Sequence, residues 1–185
     1  MWCAAILLLL ALAQAPDFAA EGFKALEAKQ YAVAAQQFAK AVEADPKDYA
    51  ARFHLALSQS LLGKDDEAIT EYKKTLELKP GLYEAEVNLG MLLVEQKQPR
   101  EAIGILEAAV AQKPQEFRPN LYLADALLAA GDFAKAEQQY MAAGRLDPKS
   151  AAVELGLARS RARQDRLEEA AVNFRRAAEL DQSFK

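Results

Sequence analysis

The stretch Phe53–Pro80, FHLALSQSLLGKDDEAITEYKKTLELKP, contains the pattern that decides the fold. Its apolar residues recur at spacings of three and four, which places them on one face of each of two helices. Gly63 separates the two helical patterns, since glycine adopts a positive φ without strain. Pro80 ends the second pattern, because proline lacks the N–H that a helix needs. The stretch therefore predicts two short helices joined by a tight turn.

The same pattern returns along the chain with a fixed period. Four prolines stand 34 residues apart, at Pro46, Pro80, Pro114 and Pro148. Five alanines keep the same period: Ala34, Ala68, Ala102, Ala136 and Ala170. A constant period over this length indicates a tandem repeat. We divide the chain into five units, 15–48, 49–82, 83–116, 117–150 and 151–184.

A set of small and large residues also recurs in every unit. The first helical pattern carries a small residue at Gly22, Ala56, Gly90, Ala124 and Ala158. The second carries the alanine series and a large residue four positions later, at Phe38, Tyr72, Leu106, Tyr140 and Phe174. A further small residue follows at Ala41, Thr75, Ala109, Ala143 and Ala177. This set predicts that two helices cross closely where small side chains meet, with a bulky side chain beside the crossing.

We predict helix pairs near 16–29 and 31–44, repeated every 34 residues, and no β-structure. Gly63 and Gly131 occupy the turn position where a helix end favours positive φ. The other three units place a side chain at that position, which we expect to cost some stability; these residues are Lys29, Lys97 and Asp165.

The sequence resembles the tetratricopeptide repeat family. The period, the small and large set and the terminal proline all match the family over nearly the whole of residues 14–185. The resemblance implies an all-α fold, an α-solenoid of about five helix-turn-helix units that form a right-handed superhelix. The end units depart from the family pattern, with Glu21 and Ala25 where large residues are usual and Gln182 in place of the proline.

The first thirteen residues have a different character. Residues 1–13 are apolar throughout, include the run ILLLLALA and end in Ala11-Leu12-Ala13. This pattern predicts a signal peptide cleaved before Gln14, a mature domain over 14–185, and export to the periplasm or the extracellular space. No Lys or Arg precedes the run, so an uncleaved N-terminal membrane anchor and a buried N-terminal helix are the alternatives. Membrane contact is expected only through this segment, and only if it remains uncleaved.

Composition argues against catalysis and against several kinds of ligand. The net charge of −4 argues against nucleic-acid binding, which needs a basic face. His54 is the only histidine. A histidine-based zinc site or a Ser–His–Asp set would therefore have to use this one residue, with no second histidine available. Because the chain also has no glycine-rich phosphate loop, we expect no enzyme activity, no cofactor, no metal and no small-molecule substrate.

The family resemblance implies that the first helices of successive units line a concave groove. The implied groove triplets are Ala19, Phe23 and Leu26; Phe53, Leu57 and Ser60; Val87, Met91 and Val94; Leu121, Asp125 and Leu128; and Leu155, Arg159 and Ala162. Spacings of four and three put each triplet on one helix face. From these we single out nine candidates for partner binding: Phe23, Phe53, Leu57, Met91, Val94, Leu121, Asp125, Leu128 and Arg159.

The implied groove is apolar, which bears on the partner. Family members that clamp an acidic C-terminal tail carry Lys and Asn where this chain has Ala19 and Phe23. We therefore expect a scaffold or adaptor that binds an apolar peptide or an amphipathic helix of a protein partner. In the alternative, these side chains only pack between neighbouring first helices, and the chain is a structural subunit of an envelope complex or a self-associating solenoid.

Overall fold

The computed structural model describes residues 17–181, which form ten α-helices and contain no β-strand. The first helices of the five units are α1 (Phe18–Glu27), α3 (Tyr49–Leu61), α5 (Tyr83–Glu95), α7 (Phe117–Ala130) and α9 (Ala151–Ala162). The second helices are α2 (Tyr31–Ala44), α4 (Asp65–Leu78), α6 (Pro99–Gln112), α8 (Phe133–Leu146) and α10 (Leu167–Leu180). The all-α prediction is confirmed. The predicted signal peptide at 1–13 lies outside the described residues.

The second helices follow the predicted boundaries in every unit, but the first helices are mostly shorter. The repeat predicts a helix near 50–63 in the second unit, whereas α3 ends at Leu61. The cause is the turn, which takes up Leu62, Gly63 and Lys64 before α4 begins. Second helices end two residues before the repeated proline in units one to four, as at Ala44 before Pro46.

One hydrogen-bonded turn joins the two helices of every unit. The residue with positive φ is Gly63 at 70° and Gly131 at 89° in two units, and Lys29, Lys97 and Asp165 at 57° to 60° in the others. In all five turns the next residue's N–H donates to a carbonyl five residues earlier, at 2.8 to 3.0 Å. This bond satisfies a carbonyl at the helix end. It is made whether or not the turn residue is glycine.

The crossing of the paired helices is as close as the small residues predict. The five alanines of the 34-residue series are at most 2% exposed. A Cβ added at Gly90 would lie 2.5 Å from the side chain of Leu106, and one added at Gly22 would lie 2.8 Å from Phe38. The large residue is buried in units one to four, but Phe174 is 43% exposed because no further first helix of the described chain covers it.

A buried polar position recurs at the start of the first helices and was not predicted. It is held by Arg52, Glu86, Asn120 and Glu154, all at most 9% exposed. Each hydrogen-bonds to the second helix of its own unit, at 2.5 or 2.6 Å; the partners, in order, are Glu71, Gln112, Gln139 and Asn173. Such bonds are required because an unpaired polar group is costly in the interior. These four hydrogen bonds join the two helices of units two to five.

Candidate functional site

The first helices lie on the inner side of the solenoid. Every helix packs on its neighbours in the chain, and α5 also contacts α7 while α7 contacts α9. Among the described helices, the extensive contacts between helices two apart in the chain all join first helices. Helices on the inner side of a bend come closer together than those on the outer side. In units three to five the first helices therefore lie on the inner, concave side of the bend, and the repeat puts those of units one and two on the same side.

An apolar row runs along this surface through the first four units. Its members are Phe23, Phe53, Leu57, Met91, Val94, Leu121 and Leu128, and we call it the apolar row. Phe23 is 43% exposed, and the others are half-buried. Most of them also contact the largest cluster of buried apolar side chains, which we call the main core cluster. Val87, another residue of the implied groove, lies deeper at 8% exposed and belongs to that core.

Aromatic rings cluster at the N-terminal end of the apolar row. The ring of His54 lies 4.6 Å from Phe23, 5.3 Å from Phe38 and 5.1 Å from Phe53, measured between centroids. Phe53 in turn meets Tyr72 edge-on at 5.7 Å. The Nδ1 atom of His54 lies 2.8 Å from the carbonyl oxygen of Ala50, so Nδ1–H donates to it. His54 is thus a packing member of this aromatic cluster.

Polar side chains stand at the other end of the row. The carboxylate of Asp125 accepts a hydrogen bond of 2.5 Å from the hydroxyl of Tyr140. Burial raises the pKa of Asp125, and the Tyr140 hydrogen bond and the charge of Arg159 oppose that rise without cancelling it. Burial and the neighbouring Asp125 raise the pKa of Tyr140, which therefore stays protonated. Arg159 itself is exposed.

A charged depression opens beside the row and is lined from the N-terminal halves of α3, α5 and α7. Its lining residues are Phe53, Tyr83, Glu84, Val87, Asn88, Glu116 and Arg118. Lys113 lies over the ring of Tyr83, with Nζ 3.8 Å from the centroid, and pairs with Glu84 at 3.7 Å. Sequence reasoning missed the charged members. The sequence does contain a signal for two of them. Glu84 and Arg118 occupy the same position of the repeat, three residues before the groove residues Val87 and Leu121.

The site offers surfaces for binding and few groups for chemistry. Within residues 17–181, no three His, Cys, Asp or Glu side chains lie where they could hold a metal ion. In the same part of the chain, no helix combines the length and apolar character that crossing a membrane requires. The geometry is that of a curved apolar surface with an aromatic cluster at its N-terminal end and polar side chains at its C-terminal end.

Two tetratricopeptide repeat models match this chain, one over residues 20–83 and the other over residues 93–154. Together they cover more than half of it. The chain belongs to the tetratricopeptide repeat family. Tetratricopeptide repeat proteins act as protein–protein interaction scaffolds and bind protein or peptide partners, and the matching models describe no catalytic family.

Relatives with known sequences carry the same repeat. The chain is 30% identical over 142 residues to the protein STIP1 homolog of Dictyostelium discoideum, covering 77% of this chain and 23% of the relative. It is 31% identical over 103 residues to the small glutamine-rich tetratricopeptide repeat-containing protein 2 of Mycosarcoma maydis. That match covers 56% of this chain and 29% of the relative. The chain thus spans less than a third of the length of these two relatives.

Solved structures share the fold. MamA from Desulfovibrio magneticus RS-1 superposes with a TM-score of 0.82 at 24% identity, covering 90% of this chain and 94% of that one. YrrB, described as a TPR protein with an unusual peptide-binding site, superposes with a TM-score of 0.84 at 19% identity, covering 89% and 85%. At these identities the likeness establishes the fold alone, and it confirms the predicted α-solenoid.

Proposed function

We propose that this chain is an adaptor that holds an apolar peptide or an amphipathic helix of a partner protein on its concave surface. The observation that carries the proposal is the apolar row, which continues through four units with side chains that are neither buried nor fully exposed. Apolar surface left in contact with water is stabilised when a partner covers it. Continuous apolar strips on soluble domains commonly mark such binding sites.

The spacing within the row suits a helical or extended partner. Leu121 and Leu128 lie two turns apart on α7, and Met91 and Val94 lie one turn apart on α5. A partner helix that presents apolar residues at i, i+3 or i+4 and i+7 can follow such a surface. Met91 has a flexible thioether side chain that adapts to differently shaped partners.

Opposite charges at one end would orient the partner. Asp125 and Arg159 lie on the same concave surface as the row, and Arg159 is exposed. A polar group of the partner can bind Arg159, whereas an apolar group there would leave the guanidinium without water. We therefore expect partners to be apolar over units one to four and polar where they reach unit five.

The substitution Leu57→Glu tests the proposal. Peptides are selected from a displayed library for binding to the 185-residue chain, and their affinities are measured by fluorescence anisotropy. We expect the selected peptides to share apolar residues at helical spacing. A carboxylate at position 57 is then expected to weaken their binding at least tenfold while leaving the melting temperature unchanged, because Leu57 keeps contact with water.

Leu78→Glu is the matched control. Leu78 lies on a second helix and is 40% exposed, so the same change there should affect neither folding nor binding. A collapsed melting curve for Leu57→Glu would show that Leu57 is a packing residue between first helices, and unchanged peptide binding would place the binding surface elsewhere. Export of the chain rests on residues 1–13 and stays a sequence prediction.

A further inference from the structure

An open pocket of about 380 Å³ lies between the second helices α8 and α10, with α9 beneath it. The residues of α9 that line it share one face of that helix: Val153, Glu154, Leu157 and Arg161. Since an α-helix turns by about 100° per residue, this face points away from Leu155 and Arg159, which lie on the concave side. The pocket therefore opens on the side opposite to the apolar row. We call it the Gly144 pocket, after the residue of α8 that lines it.

The missing side chain of Gly144 leaves part of this space open. Units one to three carry at the same position a half-buried apolar side chain that packs against a core cluster: Val42, Leu76 and Val110. Val153 is larger than its equivalents Ala51 and Ala85, and a Cβ added at Gly144 would lie 3.2 Å from its Cγ1 atom. Val153 thus fills some of the gap. The volume that remains is within the range of pockets that bind ligands.

Apolar side chains form the floor of the pocket and continue onto the surface outside it. Val153 is 2% exposed and Leu157 is 8% exposed, so both lie at the floor. Met141 also lines the pocket but is 48% exposed, which places it at the rim. A small molecule held in the pocket would leave Met141 in water, whereas a protein can fill the pocket and cover Met141 as well. The apolar surface therefore favours a protein as the occupant.

Most of the charged side chains in the lining are already paired. The lining contains three arginines and two carboxylates: Arg145, Arg161, Arg176, Asp147 and Glu154. Arg176 pairs with Glu154 at 3.0 Å, and the second carboxylate oxygen of Glu154 accepts a hydrogen bond of 2.6 Å from Asn173. Arg161 pairs with Glu137 at 2.9 Å and lies 3.9 Å from Glu169, and neither of these carboxylates lines the pocket.

Arg145 is the cation that has no partner. It is exposed in the last turn of α8 and makes no ion pair or side-chain hydrogen bond within residues 17–181. Asp147 does not pair with it, and its Oδ1 atom instead accepts a hydrogen bond of 3.1 Å from the backbone N–H of Lys149. Outside the lining, Lys149, Arg175 and Glu179 are exposed beside lining residues in the sequence, and they add two positive charges and one negative charge. The surroundings of Arg145 therefore favour an anionic group.

We propose that the Gly144 pocket receives a large apolar side chain of a partner protein, and that an acidic residue beside it in the partner binds Arg145. The apolar side chain, a leucine or a phenylalanine, rests on Val153 and Leu157. The pocket and the apolar row lie on opposite sides of the solenoid, so the two sites can hold two partners at once. The proposal does not use the concave surface and stands independently of the proposed function.

Filling the pocket tests the proposal. Peptides are selected from a displayed library for binding to the 185-residue chain, and their affinities for each variant are measured by fluorescence anisotropy. We expect one class of peptides to share a leucine or phenylalanine beside an aspartate or glutamate. Gly144→Val should weaken the binding of this class at least tenfold, because the valine occupies the space that the apolar side chain enters. Leu57→Glu, on the concave surface, should leave its binding unchanged.

Gly104→Val is the matched control. Gly104 lies on the second helix α6, and a Cβ added there would have no neighbour within 4 Å, so the same change should affect neither folding nor binding. A Cβ at position 144 is close to Val153, so the melting temperature of Gly144→Val is measured too. If it falls, Gly144→Ala gives a smaller filling and should still weaken binding. Selected peptides that all keep their affinity for the filled variants, or lose as much with Gly104→Val, would overturn the proposal.

Charge reversal tests the ion pair. Arg145→Glu should also weaken this class of peptides at least tenfold, and a peptide whose acidic residue is replaced by lysine should regain affinity for that variant. Arg100→Glu is the control, since Arg100 is exposed on α6 and does not line the pocket. Failure of the lysine peptide to regain affinity would contradict the assigned ion pair. The free acid 4-methylpentanoate carries a leucine-like group and a carboxylate, and if it bound as tightly as the peptides, the occupant would be a small acid and not a protein.

Discussion

The junction between units two and three and the junction between units four and five occupy the same place in the repeat but are built from different side chains. At the first, Ile69, Leu76 and Leu92 lie in or against one apolar core cluster. At the second, the residues 68 positions further on are Glu137, Gly144 and Ser160. These positions are thus apolar at one junction and polar or small at the other, where Tyr140 and Val153 still belong to the buried apolar cluster.

The polar junction depends on one buried carboxylate. Glu137 is 8% exposed, and it accepts hydrogen bonds from Arg161 at 2.9 Å, Arg166 at 2.6 Å and Gln164 at 3.1 Å. Arg161 also donates to Asn173 at 2.7 Å. The bonds join α8 of unit four to the end of α9 and the turn that follows it. They replace the contacts that an isoleucine makes at the equivalent position.

The comparison separates what sets the architecture from what stabilises it. The close crossing of paired helices depends on small residues, which both units share, as at Ala68 and Ala136, each 0% exposed. The junction between units can then be filled by either kind of side chain. We expect the two junctions to respond differently to truncation and to pH.

The largest effect is expected at the apolar junction. Leu92→Ala removes a side chain that is 2% exposed, which should cost about 2–5 kcal/mol through lost burial and a residual cavity. Ser160→Ala changes the equivalent position of unit five, where the hydroxyl bonds only to the carbonyl of Gly156 in its own helix. That change should cost less than about 1 kcal/mol. Urea unfolding of both variants checks this, and equal costs would remove the distinction between the junctions.

The next effect concerns the polar junction. Glu137→Ala removes the carboxylate that Arg161 and Arg166 share. It should cost about 2–3 kcal/mol, less than for a fully buried pair because Arg166 keeps contact with water and keeps its ion pair with Glu169. Burial favours the neutral form of Glu137, but hydrogen bonds from Arg161, Gln164 and Arg166 outweigh it and lower its pKa.

The lowered pKa of Glu137 gives this cost a pH dependence. A carboxyl whose pKa is lower in the folded state stabilises the fold above its unfolded pKa, and this contribution is lost as the pH falls through the folded pKa. The cost of Glu137→Ala should therefore be full at pH 7 and shrink below about pH 4.3. Urea unfolding at both pH values measures it. A cost that does not change with pH would mean that the carboxylate charge contributes nothing.

Much of the fold could be predicted because the repeat signal is local. Pro80, Gly63 and Ala68 each restrict the backbone or the packing within a few residues of the chain. The boundaries of the second helices could be predicted from such residues. The ends of the first helices were less accurate, since the turn takes residues that the apolar pattern assigned to the helix. Local signals thus fixed the element order but not every boundary.

The polar contacts could not be predicted, because they join residues far apart in the sequence. Glu137 bonds to Arg161 and Arg166, 24 and 29 residues later, and no local pattern marks those pairs. For the site, the family resemblance placed the apolar row on the first helices. It did not indicate that Val87 lies in the core or that Glu116 helps to line a charged depression.

The smallest effect is expected at Asp125, and its pH dependence has the opposite sign to that of Glu137. Burial raises the pKa of Asp125 above its ordinary value. The folded state therefore binds more protons than the unfolded state, and stability falls as the pH rises from the unfolded pKa, about 3.9, through the folded one. Asp125→Asn keeps an acceptor for the Tyr140 hydroxyl and removes the buried charge. It should match wild type below the unfolded pKa and exceed it at pH 7.

Tyr140→Phe provides the matched variant. It removes the hydroxyl that donates to the Asp125 carboxylate, which should raise the pKa of Asp125 further and make stability fall more steeply with rising pH. Urea unfolding across this pH range gives the three curves. If Asp125→Asn lost stability at pH 7, the Tyr140 hydrogen bond and the Arg159 charge would outweigh burial. The Asp125 carboxylate would then stabilise the folded state, as the Glu137 carboxylate does. Its charge, at the C-terminal end of the apolar row, would not lower the free energy of unfolding.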